Sequence, residues 1–137
     1  MGAAENKQLV ADAFGRWEKG EGTAFEVVAE NMRWTITGTS KLAGTWTSKA
    51  AFASEVLDPI MSRLEGNTIR PTVQSVVAEG DTVVVHWKGN ATAIDGVPYD
   101  NEYCWVMRVD GGQVVEVVAW FDSHTLDELV ERVPRPA

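Results

Sequence analysis

Cysteine and histidine are scarce in this sequence, and their scarcity excludes several kinds of site. The 137 residues include one cysteine, Cys104, so an internal disulfide and a multi-cysteine zinc site are excluded. The two histidines, His86 and His124, lack the HxH or HxxxH spacing of a metal site. Gly111-Gly112 lies between two strand-like runs instead of opening a helix, which argues against a phosphate-binding loop. We therefore expect neither a metal nor a cofactor.

Positive charge and long apolar runs are also in short supply. Lys and Arg number 12 against 20 Asp and Glu, and the net charge of -8 repels nucleic acid and anionic membrane surfaces. No apolar run approaches the roughly 20 residues of a membrane helix. Residues 1–20 lack the basic start and apolar block of a signal peptide. These features predict one cytoplasmic domain over residues 1–137, without a nucleic-acid or membrane partner.

Aromatic and β-branched residues, by contrast, are concentrated near the end of the chain. Residues 99–122 read YDNEYCWVMRVDGGQVVEVVAWFD, and the two runs joined by Gly111-Gly112 predict an antiparallel hairpin with a two-residue turn. In that register one face is formed by Asn101, Tyr103, Trp105, Met107, Glu116, Val118, Trp120 and Asp122. Aromatics mixed with an amide and a carboxylate are typical of a lined cavity. A one-residue bulge at the glycine pair would change this grouping.

Hydrophobic periodicity predicts helices early in the chain and strands later. Phe14 and Trp17 lie on the apolar stripe of a first amphipathic helix over residues 5–19. The further predicted elements are a short helix over 24–29, a strand over 31–37, a loop over 38–47 that holds Trp46, a helix that Ser48 caps and Pro59 kinks or shortens, strands over 69–79 and 82–93, and a helix between Asp122 and Val133. This order predicts an α+β fold with helices packed on one face of a curved sheet.

Several strings, in this order, are similar to the nuclear transport factor 2-like superfamily, in its SnoaL-like and ketosteroid-isomerase-like branch. They are Trp17-Glu18-Lys19-Gly20, WTITGTS over 34–40, Gly44-Thr45-Trp46 and EVVAWFD over 116–122. The resemblance implies a cone-shaped α+β barrel, with three N-terminal helices on a strongly curved, mostly antiparallel sheet and a short C-terminal helix. It further implies a pocket for a small, mostly apolar ligand, and a homodimer.

The resemblance also suggests which chemistry the pocket would perform. None of the positions similar to the proton-moving residues of ketosteroid isomerases carries a suitable side chain, so that mechanism is not expected. Trp120-Phe121-Asp122 resembles the last strand of limonene-epoxide hydrolases, but Lys88 stands near where those enzymes need a carboxylate. SnoaL-type polyketide cyclases use an Asp that resembles Asp122 as general acid and base, and this match needs the fewest substitutions.

Asp122 is accordingly the predicted proton acceptor. Thr125 and Glu128 have the spacing of a capping box, so a helix that begins there would leave Asp122 free to face the cavity. Apolar surroundings would then raise its pKa by desolvation, as a general base near neutral pH requires. The alternative is that Asp122 caps the last helix.

The other candidate residues would complete the pocket around this carboxylate. An imidazole at His86 would share a proton with Asp122 or with a ligand oxygen, and Tyr103 would offer a hydroxyl as a third catalytic group. Asn101 would orient the carboxylate or a ligand carbonyl. The predicted apolar walls are Trp34, Trp46, Trp105, Trp120, Val118, Phe14 and Trp17.

Two functions remain open at this point. The first is acid/base chemistry, an isomerisation, cyclisation or hydration, on an apolar or polycyclic compound that bears a carbonyl or hydroxyl group. The second is a non-catalytic module that binds a small hydrophobic molecule or dimerises. The second hairpin face, with Val106, Val115, Val117 and Phe121, is apolar enough to require helices or a partner over it.

Overall fold

The computed structural model describes residues 2–136, which form one curved sheet with helices on its inner face. The helices are α1 (Ala3–Glu18), α2 (Lys49–Phe52), α3 (Asp58–Met61) and α4 (Ser123–Arg132), with short 3-10 turns at Ala24–Val27 and Glu65–Asn67. The strands are β1 (Val28–Ile36), β2 (Gly44–Trp46), β3 (Arg70–Glu79), β4 (Thr82–Thr92), β5 (Pro98–Asp110) and β6 (Gln113–Phe121). None of the helices within residues 2–136 has the length and apolar character needed to cross a membrane.

The six strands are ordered β2-β1-β6-β5-β4-β3, and every neighbouring pair is antiparallel except β1 and β6. Helix α1 packs on β3 and β4, α2 packs on β1, and α4 packs on β5. The predicted α+β class, with early helices on a mostly antiparallel sheet, is confirmed.

Two predicted elements in the first half of the chain differ from the structure. The predicted helix over 24–29 is only a 3-10 turn, because the chain is already extended at Val28 and joins the sheet there. Inside the predicted loop 38–47, Gly44–Trp46 forms β2 and pairs with β1. Three residues are too few to show the alternation by which a strand is recognised in sequence.

Pro59 is accommodated by a change of helical register. Ser48 caps α2 as predicted, since its hydroxyl accepts a hydrogen bond of 2.9 Å from the amide of Ala51. Between α2 and α3 the residues Ala53–Leu57 form a π-helical turn, in which the amide of Asp58 bonds to the carbonyl of Ala53. Proline cannot donate to the helical ladder and collides with the preceding turn. The wider turn lets the helical segment 49–61 continue past Pro59.

The hairpin forms with its two-residue turn, and one extra residue in β6 shifts the facing pairs. Gly111 and Gly112 have φ angles of 59° and 79°, as a primed turn requires. Arg108 faces Glu116, whereas Val109 faces Val114, so Val115 is an additional residue in β6. The predicted inward face of β5 is therefore correct, and the predicted inward face of β6 is wrong.

Helix α4 begins immediately after β6, at a cap formed by Asp122. Its carboxylate accepts hydrogen bonds from the amides of His124 (3.0 Å) and Thr125 (3.3 Å), and from the Thr125 hydroxyl (2.9 Å). These bonds lower the pKa of Asp122, and the bond from the Thr125 hydroxyl has the largest effect. The expectation that Thr125 and Glu128 start the helix is wrong, because Thr125 already belongs to the cap of Asp122.

This cap predicts a specific pattern of stability. Replacing Asp122 by Ala should lower the free energy of unfolding by about 1 kcal/mol, whereas Asn, which caps equally well and lacks only the charge, should lower it by less. Since the folded-state pKa lies below the ordinary value of 3.8, the contribution of the charge is present above that value and is lost as pH falls through the lower one. Denaturant titration of the three proteins between pH 3 and 7 measures this. Equal losses in the Ala and Asn variants would contradict the capping role.

Candidate ligand-binding site

A partly open cavity of about 60 Å³ lies between the helices and the inner face of the sheet. Its sheet side is lined by Trp34, Ile36, Trp87, Tyr99, Tyr103, Trp105, Ala119, Phe121 and, just before β3, Ile69, and its helical side by Trp17, Phe25, Phe52, Val56, Leu57, Ile60, Met61 and Leu126. The volume holds a few water-sized groups or part of a small organic molecule. A drug-sized ligand needs several hundred Å³ and would require the wall to move.

The lining carries no group that is charged at neutral pH. Its ionisable side chains are Tyr99 and Tyr103, and removal from water raises the pKa of both phenols, that of Tyr103 well above its usual value. Both hydroxyls therefore stay protonated. Within residues 2–136, no three His, Cys, Asp or Glu side chains come together in a way that would hold a metal ion.

Stacked aromatic rings give the sheet side of the cavity its shape. The rings of Trp87 and Tyr103 lie parallel with centroids 4.0 Å apart, and Trp105 meets Trp87 edge-on at 5.0 Å. Gly89 makes this stack possible, because a Cβ atom there would come within 2.8 Å of Ile69 and 3.0 Å of Tyr103. The absence of a side chain at Gly89 thus lets the rings of Trp87 in β4 and Tyr103 in β5 stack on the same face of the sheet.

The helical segment 49–61 carries the partly exposed side of the wall. Leu57, Ile60 and Met61 line the cavity and are also partly exposed, so this side of the wall reaches the protein surface. The π-helical turn Ala53–Leu57 lies in the same segment. Turns of this kind occur frequently at functional sites.

Some of the predicted wall residues do line the cavity. Trp17, Trp34, Tyr103 and Trp105 all contribute to its surface. Phe14 is fully buried and packs against Trp17 and Trp105 behind the wall, with centroids 5.7 and 5.6 Å away. Trp46, in β2, packs on Phe52 at 5.6 Å outside the lining.

Asn101 is buried beside the cavity, where it joins β5 to the start of α4. Its Nδ2 donates to the carbonyl of Asp122 (3.1 Å) and to the Tyr99 hydroxyl (3.3 Å). Its Oδ1 accepts from the amides of Asp122 (3.0 Å) and Glu102 (2.8 Å). Asn101 does contact Asp122, as predicted, but through the backbone of Asp122 and not through its carboxylate.

Asp122 and His86, predicted to act in the pocket, lie outside it. The carboxylate of Asp122 caps α4 and borders a shallow polar depression at the surface, together with Lys88 and Glu102. Its pKa is lowered, not raised as expected, because hydrogen-bond donors and not apolar walls surround it. His86 faces away from the helices and pairs with Glu102. Ser75 in β3 lies opposite His86 in β4, as the hairpin at Gly80 predicts.

Trp120 and Val118 are also on the opposite side of the sheet from the prediction. The extra residue Val115 turns even-numbered residues of β6 outward, so Trp120 is 47% exposed. Phe121 and Ala119 occupy the cavity wall in their place, with the rings of Phe121 and Tyr103 5.7 Å apart.

Sequence reasoning missed several lining residues for which a signal exists. Trp87 alternates with Val83 and Val85, so the odd-numbered residues of β4 form an apolar face. Val56, Leu57, Ile60 and Met61 belong to the broad apolar face of the third predicted helix, which marks them for burial but not for a cavity.

The comparisons with known structures show the fold. An NTF2-like protein from Burkholderia thailandensis E264 is 21% identical, with 94% of this chain and 98% of that chain aligned and a TM-score of 0.74. A candidate SnoaL-like polyketide cyclase from Jannaschia sp. CCS1 is 16% identical over 96% of this chain and 95% of that one, with a TM-score of 0.71. TerC, co-crystallised with polyporic acid, is 19% identical over 92% and 98%, with a TM-score of 0.70.

Comparison with families and curated proteins gives one positive result. No curated protein matches this sequence. The family model of the SnoaL-like domain matches residues 10–117, which include the C-terminal half of α1 and most of the sheet. The fold is that of the NTF2-like protein it resembles, and the chain belongs to the SnoaL-like domain family.

Proposed function

We propose that this protein binds a small, neutral, predominantly apolar molecule in the cavity between its helices and sheet, without acid/base chemistry by Asp122. The observation that carries the proposal is the cavity lining, which is aromatic and aliphatic and holds no group that is charged at neutral pH. Burial of apolar surface against such a lining is favourable, whereas a charged ligand would lose its hydration without a counter-charge.

The position of Asp122 supports binding over an aldol-type or hydration reaction. A general base needs to reach the proton that it removes and to have a pKa near the operating pH. Asp122 instead holds the start of α4, and its hydrogen bonds move its pKa further from neutrality. Tyr103 is the one predicted catalytic residue that lines the cavity, and its raised pKa leaves it a neutral hydrogen-bonding group.

The volume of the cavity bears on the size of the ligand. TerC was crystallised with polyporic acid, but at 19% identity the likeness concerns the fold alone. A single small ring would need less movement of the wall around the cavity of about 60 Å³ than a polycyclic compound. A larger ligand would have to displace Leu57, Ile60 or Met61, which form the partly exposed side of the wall.

Filling the cavity should abolish binding without unfolding the protein. Ala119 lines the cavity and is 2% exposed, so Ala119→Val places two extra methyl groups inside it. We expect at least a tenfold loss of affinity for methylenecyclopentane, a small apolar probe, measured by ligand-observed NMR.

Ala78→Val is the matched control for this experiment. Ala78 lies in β3, is partly buried and does not line the cavity, so its variant should bind the probe like the unmodified protein. Thermal unfolding verifies that both variants are folded. Undiminished binding by Ala119→Val, or no binding by any of the proteins, would contradict the proposal.

We further propose that the outer face of the sheet associates with a second copy of the chain. Val77, Val84, Val106 and Val118 face one another across four strands and form an apolar row, and Trp120 is exposed beside it. An exposed patch of this kind usually marks an interaction site.

The charges around this row favour a second copy as its partner. At one end, the guanidinium groups of Arg33 and Arg108 flank Glu116. At the other end, Lys88 faces Glu102 and Asn90 faces Asp100, so negative charge is in excess. A two-fold axis that lies between the two faces and runs parallel to the apolar row would set Arg33 and Arg108 of one protomer over the end that carries Asp100 and Glu102 in the other.

A charge placed within the apolar row should prevent this association. Val118→Glu should convert a dimer to a monomer in sedimentation equilibrium, because the carboxylate would be buried without a partner. Val97→Glu is the control, since Val97 is 42% exposed in the turn between β4 and β5, away from the row. A monomeric unmodified protein, or a dimer that survives Val118→Glu, would refute the proposed interface.

A further inference from the structure

One polar atom in the cavity wall has no partner within the described protein. Trp87 is 1% exposed and lines the cavity, and within residues 2–136 no acceptor lies within hydrogen-bonding distance of its indole Nε1. Most buried donors in native proteins are paired, because an unpaired buried donor loses its hydrogen bond to water without replacement. This N–H group therefore requires an explanation.

The surrounding side chains hold the indole firmly in place. Trp87 stacks on Tyr103 and contacts Trp17 and Phe14, with ring centroids 5.1 and 5.7 Å away. Gly89, two residues along the same strand, leaves the space that this stack occupies. A donor on a ring fixed by so many contacts is already oriented when a ligand arrives.

We propose that the ligand carries a carbonyl oxygen, which accepts a hydrogen bond from Trp87 Nε1 inside the cavity. This inference rests on the proposed binding function and specifies its ligand as a small neutral cyclic ketone. An indole N–H can donate but cannot accept, so its partner must supply an acceptor.

The Tyr99 hydroxyl, unlike Trp87 Nε1, has a protein partner: it accepts a hydrogen bond from Asn101 at 3.3 Å. Because the wall offers no compensating positive charge, a carboxylate would be a poor acceptor here, whereas a neutral carbonyl loses less hydration.

A pair of probes of nearly the same shape separates this hydrogen bond from apolar burial. Cyclopentanone has an oxygen where methylenecyclopentane has a CH₂ group, so the ratio of their dissociation constants reports the acceptor. Both are titrated against the full chain and against a variant in which 3-benzothienylalanine replaces Trp87. That residue keeps the outline of indole and has sulfur in place of N–H.

In the Trp87 variant we expect cyclopentanone to lose affinity relative to methylenecyclopentane, so that the ratio of their dissociation constants rises three- to tenfold. A change of this size corresponds to the loss of about one hydrogen bond. The carbonyl stretching frequency of bound cyclopentanone should also be lower in the unmodified protein than in the variant. Tyr103→Phe serves as the comparison: the stretching frequency of cyclopentanone bound to this variant should equal the frequency in the unmodified protein.

Three results would overturn the inference. An unchanged ratio in the Trp87 variant means that the indole does not bind the carbonyl. A ratio that changes in Tyr103→Phe instead means that the phenol hydroxyl, and not the indole N–H, donates to the carbonyl. Binding of neither probe removes the proposed binding function together with the inference, whereas binding of both with an unchanged ratio removes the inference alone.

Discussion

A single extra residue in β6, Val115, controls the alignment on which both faces of the sheet depend. It follows the Gly111-Gly112 turn, so every pair in the rest of the hairpin is shifted by one residue. The shift directs Ala119 and Phe121 into the cavity and Trp120 into solvent. Because side chains alternate along a strand, a change of one residue exchanges the two faces completely.

The same shift separates the cavity from the polar residues that the sequence associated with it. Asp122 follows the last inward residue of β6, and its carboxylate caps α4. Asn101, in β5, forms hydrogen bonds with the backbone amide and carbonyl of Asp122. These two residues join a strand pair to the final helix. Their hydrogen-bonding capacity is used within the fold, which leaves the cavity with aromatic rings, two neutral phenols and the indole N–H group of Trp87, which is buried without a hydrogen bond.

The inward face of β5 was predictable and that of β6 was not, for a definable reason. On β5, Tyr103 and Trp105 continue a regular alternation that reaches back to Tyr99, so any consistent register gives the same face. On β6, the residues on both sides of the strand are apolar or aromatic, and Val118 and Trp120 look as suitable for a core as Ala119 and Phe121. The pattern therefore does not choose between the two registers, and the pairing to β5 does.

Local chemistry in the sequence determined the α+β class, the hairpin turn, the cap at Ser48 and the burial of the first helix, because each depends on neighbouring residues. The SnoaL-like family was also recognisable from short strings spread along the chain. Only the tertiary structure decided the position of Asp122, the outward direction of His86 and Trp120, and the isolation of Trp87 Nε1. Those features depend on strand register and on which groups meet across elements distant in sequence, and such contacts exist only after the chain has folded.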